Sequence, residues 1–537
     1  VENKMSNRYN IYKLKSKQFD NLREKIDKEG LVEQKSKEID GYRLIFYFSE
    51  DIDGNPIWWY ETYKNFFKDG LKEPRNIFYF GLLVVEKIDD KNIIFLVSLG
   101  KSHFYLNKFI ERNFGINIAI RIAKEQTMVL KKSRLFGGIK RQEITSYIEF
   151  EIDNYEAGES VEHLKLKAYD QELWGDKNII FADSIQIDFE HEPEDMVPMF
   201  KEIENQLSIS PLIELPKLEI VDEPEIISAL DLSLVEQVLK SDQDLKIEEF
   251  TLYGVVFCFN YLNYDYQIYY LHERKHDHIQ DLGNNISIND IKTILLKLGD
   301  SYDINNIKVR FSYGEKGQFT KSLKEILDCH IDYRETSYFL RDGEWFSFNQ
   351  KFMEYLKRSL TQIEVEITDP FLESEYLEWK EKKENEIESG VADNKLTYRE
   401  YYFNLSKSQT EDYILMDREN EEINSLNNKR KNYQIEIADL YKDKTVWAVK
   451  IGNEKEKIIY NIEQSKDSIE LLTRKVVSTT YDIDNFGLWF VLEEDVKSLF
   501  EINSIQLLLA IESWKRKVEF YGCKPLFRIT KLEKNCD

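Results

Sequence analysis

At 537 residues the chain is long enough to bury more than one hydrophobic core, and its length predicts two to four domains. Hydrophobic residues make up 42% and charged residues 32%, which excludes a disordered chain, while apolar runs such as residues 93–97 are far too short to cross a bilayer. The net charge of -25 argues against a surface coated by nucleic acid, yet it is uneven: +6 over residues 1–150, -20 over 151–250 and -11 over 251–537.

No charged, apolar leader opens the sequence, so a cytoplasmic protein is expected, with no part in a membrane. Cys258, Cys329, Cys523 and Cys536 are far apart and form no Cys-x-x-Cys pair, which predicts reduced thiols and no zinc ribbon.

Residues 1–205 read as an α+β domain on an antiparallel sheet. Strand-like runs lie at 42–48, 77–80, 82–85, 93–97 and 148–152, and helical periodicity lies at 22–26 and 106–113. Trp58, Trp59, Tyr60, Tyr63, Phe66 and Phe67 are expected in a core, with a base-stacking platform as the alternative. Lys124, Lys131, Lys132, Arg134, Lys140 and Arg141 surround Gly137-Gly138, a basic loop at which phosphate contacts are easy to make and nucleic acid is the expected partner. The plainer reading of that loop is a solvated turn.

Five of the nine prolines fall between Pro193 and Pro224 in an acidic stretch, which predicts a connector at 206–225. A middle α+β domain, 226–365, follows with a helix at 230–239, strand-like runs at 252–259, 264–270 and 307–311, a hairpin at 338–346 turning on Asp342-Gly343, and an amphipathic helix at 352–360. His272 and His276 would share a helical face, but a zinc site there needs a further ligand, and a charged turn is the simpler account.

The last domain, 366–537, opens with a charged helix over 371–388 stopped at Gly390. An apolar run at 413–416 ends at Asp417. Residues 433–440 alternate, with Ile435 and Ile437 on one face and Glu436 on the other, and 445–451 forms a third strand. The turn Lys442-Asp443-Lys444 is too short for a crossover helix, so the second and third strands are expected as an antiparallel hairpin that sets Glu436 beside Lys450. A helix at 465–472, a strand at 488–492 and helices at 493–500 and 505–520 complete a C-terminal α/β domain compatible with a restriction-endonuclease-like fold.

The chemistry of this domain rests on Glu400, Asp417, Glu436 and Asp439 as oxygen ligands for Mg2+ or Mn2+. Lys450 would supply fixed positive charge to a phosphate, and Gln464 would orient substrate or lysine. In the restriction-endonuclease-like pattern the acid and the lysine share one strand as Glu-x-Lys or Asp-x-Lys. Here Glu436 is followed by Ile437 and Ala438, and the lysine comes from the next strand. A solvated hairpin with charged outward positions is the competing account.

Residues 396–404 (LTYREYYFN), Leu415-Met416-Asp417, residues 435–441 (IEIADLY), Val449-Lys450 and Gln464-Ser465 resemble, in order, the motifs of a sporadically distributed bacterial family of unknown function. Stretches at 9–14, 109–115, 178–184 and 340–346 fit the same order. Members of that family tend to occur in mobile or phage-defence gene neighbourhoods, so the resemblance implies a role in defence and a defence-system partner protein. It carries onto Glu400, Asn404, Asp417, Glu436, Asp439, Lys450, Gln464 and Ser465, but the family's His-Leu-Phe element is replaced here by residues 459–463 (IYNIE), without histidine. The expectation is a Mg2+-dependent nuclease acting on DNA or RNA. The alternative is a sensor or adaptor without enzymatic activity, or a structural subunit, that binds nucleic acid or a phage protein.

Overall fold

The computed structural model describes residues 7–49, 54–68, 70, 72–136, 141–151, 155–189, 192–240, 246–247, 264–272, 275–299, 302–313, 317–334, 336–391, 396–416, 420–424, 432–436, 438–473, 481–502 and 504–534. The chain is a mixed α+β protein with several antiparallel sheets, and it divides into two compact units. One comprises residues 1–133, 143–154 and 161–349; the other comprises 134–142, 155–160 and 350–537.

In the first unit the strands Leu31–Ile39, Tyr42–Ser49, Gly81–Lys87, Ile94–Leu99, Asn7–Lys13, Ile185–Phe189 and Ile179–Phe181 lie side by side in that order, each antiparallel to the next. Helix Phe19–Lys28 buries Leu22 and Ile26, one turn apart, in a cluster with Ile94 and Leu96. The alternate residue Phe95 faces the other way and stacks on Phe200 of helix Val197–Leu207 at 5.3 Å. Burial on both faces explains why residues 94–97 are an unbroken apolar run rather than an alternating one.

Two smaller antiparallel sheets follow. The hairpin of Thr336–Arg341 and Glu344–Phe348 turns on Asp342 and Gly343, both left-handed at φ 49° and 83°, as its Asp-Gly pair predicts. Leu218–Ile220, inside the proline-rich stretch, is a strand antiparallel to Glu344–Phe348. His272 and His276 lie on paired strands, Asp265–His272 and Lys275–Gly283, not on a helix. The strand expected at 252–259 lies outside the described residues.

Four elements outside the candidate site differ from expectation, the first being the run 77–80, which forms no strand. Residues 106–113 do not form one helix. Asp183 accepts the Asn113 N–H at 2.7 Å and the Arg112 guanidinium at 2.9 Å, holding Asn113 left-handed ahead of helix Phe114–Ile122. Tertiary bonds override local periodicity there. Residues 148–151 form no strand, and 493–500 holds no α-helix, only the start of a short turn at Leu499–Glu501.

His163, on strand Glu159–Ala168, buries its Nδ1 without a hydrogen-bond partner, and burial, helped by Lys132, lowers its pKa. A histidine held neutral in this way takes up its proton first in the unfolded chain, so its contribution to stability is whole above the unfolded pKa and is lost as the pH falls through it. The melting temperature of the parent should therefore fall more steeply than that of His163→Gln between pH 7.5 and 5.5, measured by calorimetry. Equal slopes would remove the assignment.

The second unit is built on one mixed sheet in the order Glu364–Leu372, Lys524–Glu533, Asn485–Leu492, Thr445–Ile451, Leu440–Lys442, Ile414–Leu415. The first four strands are parallel and the last two antiparallel. Trp447, Val449, Trp489 and Val491 face helices Glu373–Glu388 and Arg399–Thr410, in a cluster with Tyr376 and Phe403. Gly487, paired with Trp447, has no room for a side chain: a Cβ there would lie 2.2 Å from the indole. Helices Lys455–Thr473 and Ile505–Phe520 pack on each other, with the Trp514 indole N–H donating to Ser465 Oγ at 3.1 Å.

Candidate functional site

Parallel strands connected through helices leave a crevice at their C-terminal ends, where the chain leaves each strand for the next helix. In the second unit that crevice is a cavity of about 590 Å3, bordered by Glu400, Lys450, Asn453, Lys457 and Glu493 among others. Lys450 stands at the end of strand Thr445–Ile451. Glu400 comes from the first turn of helix Arg399–Thr410. Their charged groups meet at 3.1 Å, and the second strand-end contact of Glu400 is the Ile451 N–H, at 3.2 Å. Both side chains are about one-quarter exposed, so the pair is reachable from the cavity.

Asp439 has a different role. The antiparallel ladder between Leu440–Lys442 and Thr445–Ile451 runs back only to Leu440 opposite Trp447, followed by a bond from the Asp439 N–H to the Trp447 carbonyl. Beyond it the Asp439 carboxylate takes over from the strand: Oδ2 accepts the Val449 N–H at 2.7 Å and Oδ1 the Asn404 amide at 3.4 Å. Asp439 is 8% exposed and Asn404 wholly buried. Asn461 donates to the Val449 carbonyl at 3.3 Å, so both polar groups of Val449's peptide units are tied to side chains next to Lys450. The Oδ1 atoms of Asn404 and Asn461 are buried without partners.

The structure brings Glu400 and Lys450 together as an ion pair, and it places Asp439 next to that strand as a support rather than at the cavity. Glu436 is not set beside Lys450 in one hairpin. The expected strand 433–440 is split, and the backbone of Glu436 pairs with Asn420 in a separate two-stranded ribbon, Asn420–Asn424 with Asn432–Glu436. The Glu436 side chain and Asp417 lie outside the described residues. Gln464 is exposed on helix Lys455–Thr473 and donates to the Tyr460 hydroxyl at 3.4 Å, not to Lys450 or substrate space. Asn461 was not singled out from sequence, although it lies one helical turn before Ser465 on the same buried face, which is the signal that finds it.

Among the described residues no group of three or more His, Cys, Asp or Glu is placed to hold a metal ion. Glu400 is spent on Lys450 and a backbone N–H, and Asp439 on a backbone N–H and an amide. The described donors by themselves therefore do not fit a divalent cation.

The basic loop is also redistributed. Lys131 and Arg134, on strand Leu130–Leu135, are 2% and 7% exposed, so these two cannot meet a phosphate. Lys132 points the other way from Lys131, 3.7 Å from Glu162. Alternation along a strand, rather than a loop, decides which of the lysines is covered. Lys124 is exposed, while Lys140 and the Arg141 side chain lie outside the described residues.

No helix among the described residues is long and apolar enough to cross a membrane. No curated protein and no solved structure matches the chain. The model of the family described as "Family of unknown function (DUF6119)" matches residues 9–480, which covers most of the chain and both units. The protein belongs to that family.

Proposed function

We propose that the chain is a cytoplasmic bacterial phage-defence protein whose second unit is a nuclease of restriction-endonuclease-like design. One arrangement supports this reading above the others: a lysine at the C-terminal end of a central strand, ion-paired with a carboxylate from the preceding helix, at the border of a cavity large enough for a nucleotide. A buried-edge ammonium fixed in this way is a ready partner for the charge that builds on a phosphate under attack, once it exchanges Glu400 for substrate. Mg2+ or Mn2+ is the proposed cofactor, and Asp417 and Glu436 are the carboxylates that would have to join Glu400. No step is routed through the ion, because the described donors do not complete its site.

A second reading has its own observation. The carboxylates of Glu400 and Asp439 are both satisfied within the protein, which is how a recognition protein without hydrolytic chemistry would use them. DNA and RNA substrates incubated with Mg2+ or Mn2+ separate the two. Cleavage by the parent, reduced about 100-fold or more in Lys450→Ala and clearly reduced in Glu400→Gln, supports the nuclease. Binding with no cleavage in either ion assigns the second reading, and cleavage that Lys450→Ala leaves intact removes this site from the reaction.

A further inference from the structure

The first unit carries an aromatic surface that composition alone places in a core. Trp59, Tyr63 and Phe66, on helix Trp58–Tyr63 and the turn Lys64–Phe66, are 39%, 53% and 87% exposed. Large aromatic side chains gain most of their stabilisation by burial, and a cluster left in water marks an interaction surface. The short strands Asn55–Pro56 and Arg75–Asn76 pair at the base of this excursion. Phe78 and Tyr79, also exposed, therefore leave the ribbon close to where the aromatic helix begins.

Two features say what the surface is for. Two of its ring pairs are near parallel, Trp59 with Phe67 at 21° between planes and Tyr79 with Phe48 at 10°, while Tyr63 meets Trp59 edge-on at 74° and Phe66 at 53°. The segment that carries the rings holds Lys64, Lys68, Lys72 and Arg75 against Glu61, Asp69 and Glu73; Lys68 and Lys72 are exposed, and the Lys101 ammonium sits 3.1 Å from the Phe78 ring centre.

We propose that this surface binds single-stranded nucleic acid, the bases continuing the ring stacks and the cations taking the backbone phosphates. A duplex hides its base faces and offers the rings nothing to stack on, so the surface discriminates by strandedness rather than by sequence. The inference does not need the hydrolytic reading, because binding is measured with divalent ions chelated.

The test is fluorescence anisotropy of the full chain in EDTA with labelled oligo-dT, oligo-rU and a duplex of equal length, beside flotation with anionic lipid vesicles. The parent should prefer a single strand to the duplex by about tenfold or more, and Tyr63→Ala/Phe66→Ala should lose about tenfold on the single strand alone. These rings lie outside the core, so the melting temperature of the double variant should match the parent's. Lys68→Glu/Lys72→Glu should weaken binding and flatten its dependence on salt. Unchanged single-strand affinity in Tyr63→Ala/Phe66→Ala overturns the proposal, as does capture by vesicles without oligonucleotide binding. Neither of these results touches the cleavage assay, and absence of cleavage leaves this binding test unaffected.

Discussion

Replacing Asp439 by alanine should destabilise the second unit by about 3 kcal/mol, because two buried donors lose their acceptor at once. The Val449 N–H is 2.7 Å from Oδ2 and the Asn404 amide 3.4 Å from Oδ1; Asn404 is wholly buried and Asp439 nearly so. Denaturant unfolding followed by tryptophan fluorescence reads this directly as a lower midpoint. Asp439→Asn keeps an acceptor for Val449 and can turn its own amide toward the unpartnered Asn404 Oδ1, so it should recover most of the loss. The same pair of variants decides the role of the residue. A supporting carboxylate predicts that stability and any cleavage fall together in alanine and return together in asparagine. A metal ligand predicts the reverse: asparagine would retain stability and lose cleavage, and Asp439 would then have to be restored to the catalytic group.

That ambiguity shows why the site is harder to read in sequence than the sheet around it. Residues 445–451 and 488–492 are apolar, β-branched and aromatic, and they form strands whatever their neighbours do. The turn Asp443-Lys444 has both residues left-handed, at φ 47° and 59°, and the hairpin it makes was legible from its length alone. What sequence could not show is where the ladder stops. In sequence Asp439 reads as a further oxygen ligand beside Glu436. Whether such a carboxylate faces solvent, a cation or a neighbouring N–H depends on where the strand leaves the sheet, which tertiary packing sets.

The Glu400–Lys450 pair joins residues fifty positions apart, and only the helix Arg399–Thr410 lying over the strand brings them together. Tyr60 is buried as its composition predicts, but Trp59, Tyr63 and Phe66 mislead for the opposite reason. Their composition belongs to a core, but the short excursion that carries them, closed by a two-residue ribbon, gives them nothing to pack under. In the basic segment, strand Leu130–Leu135 buries Lys131 on one face and Arg134 on the other, a burial that counting charges does not foresee.

A larger loss is expected in the first unit from Asp231→Ala, about 3–5 kcal/mol, the range for stripping one partner from a buried ion pair. Asp231 is on helix Pro224–Lys240, and one of its oxygens serves two donors, the Lys324 ammonium at 2.7 Å and the Trp345 indole N–H at 2.7 Å. Lys324 and Trp345 are 4% and 2% exposed, so alanine leaves a charge and an indole N–H with no water to replace the carboxylate. Trp345 lies in the same core cluster as Leu230 and Leu234 of that helix, which means the loss spreads into hydrophobic packing between helix and hairpin. The size of the effect belongs to the stranded charge rather than to the pair, and a second variant separates the two. In Asp231→Asn/Lys324→Met the amide oxygen still accepts from Trp345 and no ion remains, so the midpoint of unfolding should return to within about 1–2 kcal/mol of the parent's. A double variant as unstable as Asp231→Ala would show instead that the attraction between the two charges is itself what stabilises this core.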